Sequence, residues 1–219
     1  MQHRATHDAG FTLVELAVVM AILSALILVA MPAVLSVNAN QRIKSDARSV
    51  ADLLMLARAE AIRTGTQHVV YLGADPASVQ PTDGSGNAVR MSVISDDDGD
   101  CRIDAGEAME WIAAEDAVTL GVTGASADAP NDAGAGNRAT GATFTDNTAT
   151  ARDWLLFRPD GIPAVFTAGG GDCGTQTTTG NGGGAVYLTN GERDYAVTLS
   201  PIGGIRVHAW QGGANQWTN

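Results

Sequence analysis

The chain has 219 residues, with 24 acidic against 13 basic side chains and a formal net charge of -11. A whole-molecule field of that sign repels a phosphate backbone, so nucleic acid is not an expected partner. With 5 % aromatics and 26 glycines, the composition points to one modest core with long loops rather than a dense enzyme-like body.

The first element is the apolar stretch GFTLVELAVVMAILSALILVAMP at 10–32. From 11 to 37 the sole charge is Glu15, and a run of that length can cross the ~30 Å hydrocarbon layer, which takes about 20 helical residues. This predicts a membrane helix over 11–37. The competing reading is a cleaved secretory signal, whose apolar core would be about 7–15 residues. The small residues of VAMPA at 29–33 offer such a cut.

After Pro32 the pattern turns amphipathic. Ile43, Ala47, Val50, Leu54, Ala57 and Ala61 step by threes and fours, with Arg42, Lys44, Asp46, Arg48 and Asp52 between them. Gly65 supplies a left-handed stop. The helix should therefore run over 11–64, about 80 Å at 1.5 Å per residue, with Pro32 kinking or loosening one turn.

The motif GFTLVE at 10–15, ahead of an apolar run with an internal proline, resembles the class III signal of type IV prepilins and type II secretion pseudopilins. That resemblance implies a leader over 1–10, cut between Gly10 and Phe11 by a prepilin peptidase on the cytoplasmic side, then N-methylation of Phe11. The apolar segment would be retained. Arg4 and Asp8 of the leader cancel, so the mature charge would also be -11. The leader is only weakly basic, which departs from the family, and Arg42, Lys44 and Arg48 beyond the span blur the positive-inside signal. Orientation, with a single inner-membrane pass and a periplasmic C-terminal domain, therefore comes from the resemblance.

A carboxylate at membrane depth is expensive, by about 2.5–3.5 kcal/mol on insertion scales, so Glu15 is a functional candidate. The resemblance implies that it meets the new amino terminus at Phe11 of a neighbouring subunit and sets the register of a helical filament. An interfacial acid solvated by headgroups is the alternative. Downstream, 38–65 resembles more narrowly the FimT, FimU and GspH group of minor pilins and pseudopilins, through Ala57, Arg58, Glu60 and Ala61.

The implied fold is α+β and pilin-like, a long N-terminal helix packed on a small antiparallel sheet domain. Its parts are a leader at 1–10, a transmembrane and filament-core helix at 11–37 containing Glu15 and Pro32, an amphipathic half at 38–64, and a β-rich domain at 65–219. The implied function is to assemble into, initiate or cap a type IV pilus or type II secretion pseudopilus. Its partners would be other minor and major pilins or pseudopilins, the prepilin peptidase and inner-membrane lipid. A pilus-tip binding module, for calcium-assisted adhesion or DNA uptake, is the alternative.

Strands are predicted at 68–72, 89–94, 117–122, 154–157, 185–189, 195–200 and 205–210. Asn190-Gly191 and the turn at 201–204 should make the last three an antiparallel meander covering the amphipathic half of the helix. Two polar, glycine-rich stretches, 123–152 and 168–184, read as long surface loops. The latter lacks the Lys-Ser/Thr ending of a phosphate-binding loop.

The acidic stretch DDDGDCRIDAGE at 96–107 aligns with a twelve-residue EF-hand loop. Asp96, Asp98, Asp100, Asp104 and Glu107 fall at the first, third, fifth, ninth and twelfth positions, and Arg102 offers its carbonyl at the seventh. The sixth position, normally glycine, is Cys101, and the flanks read as strands rather than helices. Calcium and a structural acidic hairpin are therefore both open. A Cys101–Cys173 disulfide is expected if the domain is exported, with both cysteines near the surface; two separate buried thiols are the alternative.

DNA-binding relatives of the FimT type are similar over a G-R-x-R turn, whereas this chain has Gly203-Gly204-Ile205-Arg206 and lacks the first arginine. His68 and His208 sit on predicted strands with no nucleophile or paired carboxylate spaced to use them, so no catalytic site and no enzyme activity is expected.

Overall fold

The computed structural model describes residues 12–104, 106–113, 118–132, 134, 136–146, 148–167, 173–178 and 183–218, with the backbone alone at 29, 30, 32–37, 177 and 178. The chain divides into two compact units, 1–39 and 40–219. One helix, α1 (Leu13–Thr64), contributes residues to both.

A capping box starts α1. Thr12 Oγ1 accepts from the Glu15 amide at 3.2 Å, and a Glu15 carboxylate oxygen reaches back to the Thr12 amide at 3.5 Å. Each partner satisfies a backbone N–H that the first helical turn would leave open. Farther along, Ser24 donates its hydroxyl to the Met20 carbonyl at 2.7 Å, so this polar group in the apolar run is internally satisfied. Helical structure continues through Pro32. At the other end Gly65 adopts φ 73, and its amide donates to the Ala61 carbonyl at 3.0 Å.

In the first unit the large apolar side chains are exposed, from 44 % at Val19 to 83 % at Leu13. Among the described residues, no helix is long and apolar enough to cross a membrane. The span expected over 11–37 runs through Phe11 and through the side chains at 29, 30 and 32–37, which lie outside the described set.

Among its described residues the second unit holds eleven strands: β1 (Gln67–Tyr71), β2 (Val89–Asp96), β3 (Met109–Ala113), β4 (Thr119–Leu120), β5 (Trp154–Phe157), β6 (Pro163–Phe166), β7 (Gln176–Thr178), β8 (Gly184–Thr189), β9 (Asp194–Leu199), β10 (Ile205–Gln211) and β11 (Gln216–Thr218). They form a six-stranded sheet in the order β3-β2-β1-β5-β6-β7 and a five-stranded sheet in the order β11-β10-β9-β8-β4. All pairings are antiparallel. The expected meander is β8-β9-β10.

The amphipathic stripe of α1 is the centre of this unit. Ile43, Ala47, Leu54, Ala57 and Ala61 are 0 % exposed and share one cluster with Val70, Met91 and Leu155 of the first sheet and Val186, Leu188 and Val197 of the second. Each large side chain in that cluster contributes about 1.5–3 kcal/mol of hydrophobic free energy. The helix thus fills the space that two one-sided sheets need covered.

Several expectations are corrected. The stretch 123–152 holds no strand among its described residues and much of it is exposed, but it is not exposed throughout: Ala125, Ala129, Ala142, Phe144 and Asp146 are buried, and Ala142 bridges Val186 of β8. Its small residues permit the close approach, since a Cβ on Gly134 would lie 2.0 Å from the Thr143 carbonyl oxygen. In 168–184, residues 168–172 and 179–182 lie outside the described set, but 176–178 form β7 and Gly184 begins β8 under Phe144. The strand expected at 117–122 shortens to Thr119–Leu120, and Gly121, at φ 117, still donates its amide to the Tyr187 carbonyl of β8 at 2.9 Å. β3, β6, β7 and β11 have no counterpart among the expected strands.

Candidate functional site

Three places carry the chemistry singled out in the sequence. The first is the head of α1. Gly10 and Phe11 lie outside the described residues, whereas Glu15 is described and engaged with Thr12 as the helix cap. The T-x-x-E spacing at 12–15 was a legible signal for that cap, and the sequence reading missed it. Pro32 is a helical residue whose side chain lies outside the described set.

The second is the closing turn of α1, where Arg58 spends its whole guanidinium on backbone carbonyls. Nε donates to Gly161 at 3.0 Å, Nη1 to Gly203 at 2.8 Å and Nη2 to Ile202 at 3.2 Å. Those carbonyls belong to the β5–β6 and β9–β10 turns. Gly203 is required there: it has φ 81, and a Cβ would stand 2.8 Å from the guanidinium carbon. The neighbouring Glu60 pairs with Arg63 rather than with the domain. Arg206, the one cation left of the G-R-x-R pattern, is exposed on β10.

The third is the acidic turn between β2 and β3. Asp96 is 2 % exposed and organises it: its Oδ1 accepts from the amides of Gly99 and Asp100 at 3.1 Å and of Cys101 at 3.3 Å. Gln67 donates to its Oδ2. Asp100 Oδ1 accepts from the Arg102 amide at 2.8 Å, and Glu107 Oε2 accepts from the Asp104 amide at 3.2 Å. Two sets of carboxylates converge, Asp96 with Asp98 and Glu107, and Asp98 with Asp100 and Asp104. The Arg102 side chain is half-buried, and its positive charge acts to lower the Asp100 carboxyl against the larger effect of burial. Burial pushes the carboxyls of Asp96, Asp100 and Glu107 above their ordinary range, and neighbouring acids add to this at Asp100 and Glu107.

Cys101 takes the sixth position with φ 55, the left-handed conformation that an EF-hand loop reserves for glycine. It is bonded to Cys173, with Cα atoms 4.9 Å apart. The expected surface location is corrected: Cys101 is 1 % and Cys173 4 % exposed, because both pack into a small core with Tyr71, Ile94 and Phe166.

His68 lies on β1 and His208 on β10, in different sheets. His208 Nε2 lies 3.2 Å from Thr198 Oγ1.

The family described as the prokaryotic N-terminal methylation motif matches residues 6–31. No curated protein and no solved structure gives a significant match. The matched motif supports a type IV prepilin-like protein of a pilus or secretion system, a class whose members meet other pilins and a prepilin peptidase.

Proposed function

We propose that this chain is a minor pilin or pseudopilin of the GspH, FimT and FimU kind, which assembles into, initiates or caps a type IV pilus or type II secretion pseudopilus. The observation that carries the reading is the methylation motif at 6–31 at the head of a helix whose later half, 43–61, is the buried spine of a β domain. The exposed apolar side chains from Leu13 to Met31 need a cover that water cannot give. Inner-membrane lipid provides it before assembly, in a single pass over 11–37, and neighbouring helices provide it afterwards. The domain at 65–219 is then periplasmic, and its buried disulfide suits an oxidising compartment. The role is structural and not enzymatic.

In this reading Glu15 has two successive partners. Alone, its carboxylate accepts from the Thr12 amide in the capping box of its own helix. In the filament it turns to the methylated amine of Phe11 on the adjoining subunit, exchanging a weak local bond for a charge pair in a low-dielectric setting. Two substitutions separate the roles. Glu15→Gln keeps the cap, since glutamine also serves a capping box, and loses the charge. Glu15→Ala loses the charge and the side-chain half of the cap. Both variants should be processed and retained in the membrane yet be absent from sheared filaments. Normal incorporation of Glu15→Gln would reject the charge pair.

A further inference from the structure

In and beneath the acidic turn at 96–107, two buried side-chain oxygens have no hydrogen-bond partner among the described residues, the Tyr71 hydroxyl and Glu107 Oε1. Such groups are rare in folded proteins and ask for a missing ligand, ion or water. Tyr71 is 0 % exposed, and its ring belongs to the small core made by Cys101, Cys173 and the half-buried Ile103, so it sits against the inner wall of the turn. Burial, and then the charges of Asp96, Asp75, Glu107 and Asp100, disfavour ionisation of its hydroxyl.

The acids offer a ligand set. Single oxygens of Asp96, Asp98 and Glu107 lie within 4.8 Å of one another. Calcium binds oxygens at about 2.3–2.6 Å, so ligands on opposite sides of one ion stand ~4.6–5.2 Å apart. The mutual spacing of the trio falls within the span of one calcium shell. Asp98 is shared with a second, more exposed trio completed by Asp100 and Asp104. Six acids against Arg102 within twelve residues give the turn a charge that a divalent cation would offset. The amide bonds to Asp96 hold its carboxylate in place, as outer partners orient ligands in known metal sites.

We propose that this turn seats one calcium ion on Asp96, Asp98 and Glu107, with the Tyr71 hydroxyl and Glu107 Oε1 satisfied by the ion and its bound water, and Asp100 and Asp104 forming the outer approach. Calcium is preferred over magnesium, which demands near-ideal octahedral geometry at about 2.0–2.1 Å and keeps its waters. The site does not depend on the filament reading.

The test is calorimetric titration of the oxidised full-length protein in detergent with calcium chloride and, separately, magnesium chloride, beside thermal unfolding in chelator. The expected result is one calcium site with a dissociation constant of about 0.1–1 mM, the range of extracellular modules, and weaker binding of magnesium. Asp98→Asn and Glu107→Gln should each weaken calcium by roughly tenfold or more. Tyr71→Phe preserves the ring, should leave the calcium-free protein as stable as before or more so, and should weaken calcium by about tenfold, as loss of a supporting group does. No calcium binding by the unaltered protein overturns the proposal. So does stabilisation by calcium that persists in Asp98→Asn and Glu107→Gln, which would be screening of an acidic surface, or unchanged affinity in Tyr71→Phe.

Discussion

The guanidinium of Arg58 donates to the carbonyl of Gly203 at 2.8 Å across 145 residues of sequence, fastening the last turns of α1 to the turn between β9 and β10. With its bonds to Gly161 and Ile202 it fixes where two turns end relative to the helix. Arg58→Ala should lower the unfolding free energy by about 2–4 kcal/mol, since it leaves part-buried carbonyls without a charged donor. Arg58→Lys should recover only part of this, because an ammonium cannot reproduce the planar fork. Chemical denaturation of the three proteins measures it.

The Cys101–Cys173 bond spans 72 residues of chain. On the polymer model, closing a loop of that length stabilises the fold by about 4 kcal/mol. Cys101→Ser with Cys173→Ser should lower the midpoint of thermal unfolding by roughly 10 °C for a domain of this size. A midpoint unchanged by the double substitution would mean that the β2–β3 turn is held by Asp96 alone.

Asp46 and Arg90 form an ion pair at 2.7 Å with side-chain exposures of 12 % and 5 %, and Arg90 also donates to the Val118 carbonyl. Asp46→Ala removes the carboxylate and keeps the buried cation, so a loss of about 3–5 kcal/mol is expected. Replacing both residues by apolar ones of similar volume should be much milder. Comparing the single and double variants by denaturation distinguishes a stranded charge from lost packing.

Asp132 accepts from Thr143 Oγ1 at 2.7 Å and from the Tyr187 hydroxyl, and it holds the segment 123–152 against β8. Burial pushes its carboxyl up, against the lowering effect of those hydrogen bonds. The folded state then binds the proton more tightly than the unfolded chain. Its contribution is full below the unfolded value of about 3.9 and is lost as pH rises through the higher folded value. Asp146 behaves oppositely. Burial pushes its carboxyl up, but hydrogen bonds from Thr148, Arg152 and Thr150 outweigh this and hold it well below the usual range, so its contribution is present above about pH 3.9 and lost as pH falls. Thermal unfolding across mildly acidic pH should show Asp132→Asn losing less stability than the unaltered protein as pH rises from about 4.

The parts of this fold that were legible in the sequence carry strong periodic or turn signals. The stripe from Ile43 to Ala61 repeats at helical spacing, and Asn190-Gly191 joins two β-branched runs, so the buried spine and the β8-β9-β10 meander follow from pattern alone. β6 was hidden because its first residue is Pro163, and β11 because it is short and follows Gly212-Gly213. Within 123–152 the buried section 141–146 was hidden because alanine, threonine and glycine look like loop composition. Those small residues let Ala142 bridge Val186 of β8, a tertiary fact invisible to local pattern. The acidic turn was legible as a set of oxygens, but the burial of Tyr71 in one cluster with Cys101 and Cys173 was not, since that packing joins residues far apart in sequence.

The central claim is that Phe11 becomes a methylated amino terminus on an otherwise intact helix. Intact-mass and amino-terminal peptide analysis of the protein from membranes that contain a prepilin peptidase tests it most directly. The account predicts a chain that has lost residues 1–10, begins at Phe11 and carries one extra methyl group, and that keeps its leader when the peptidase is absent. A mature chain that still begins at Met1, or one cut beyond the apolar run near Ala33, would contradict it.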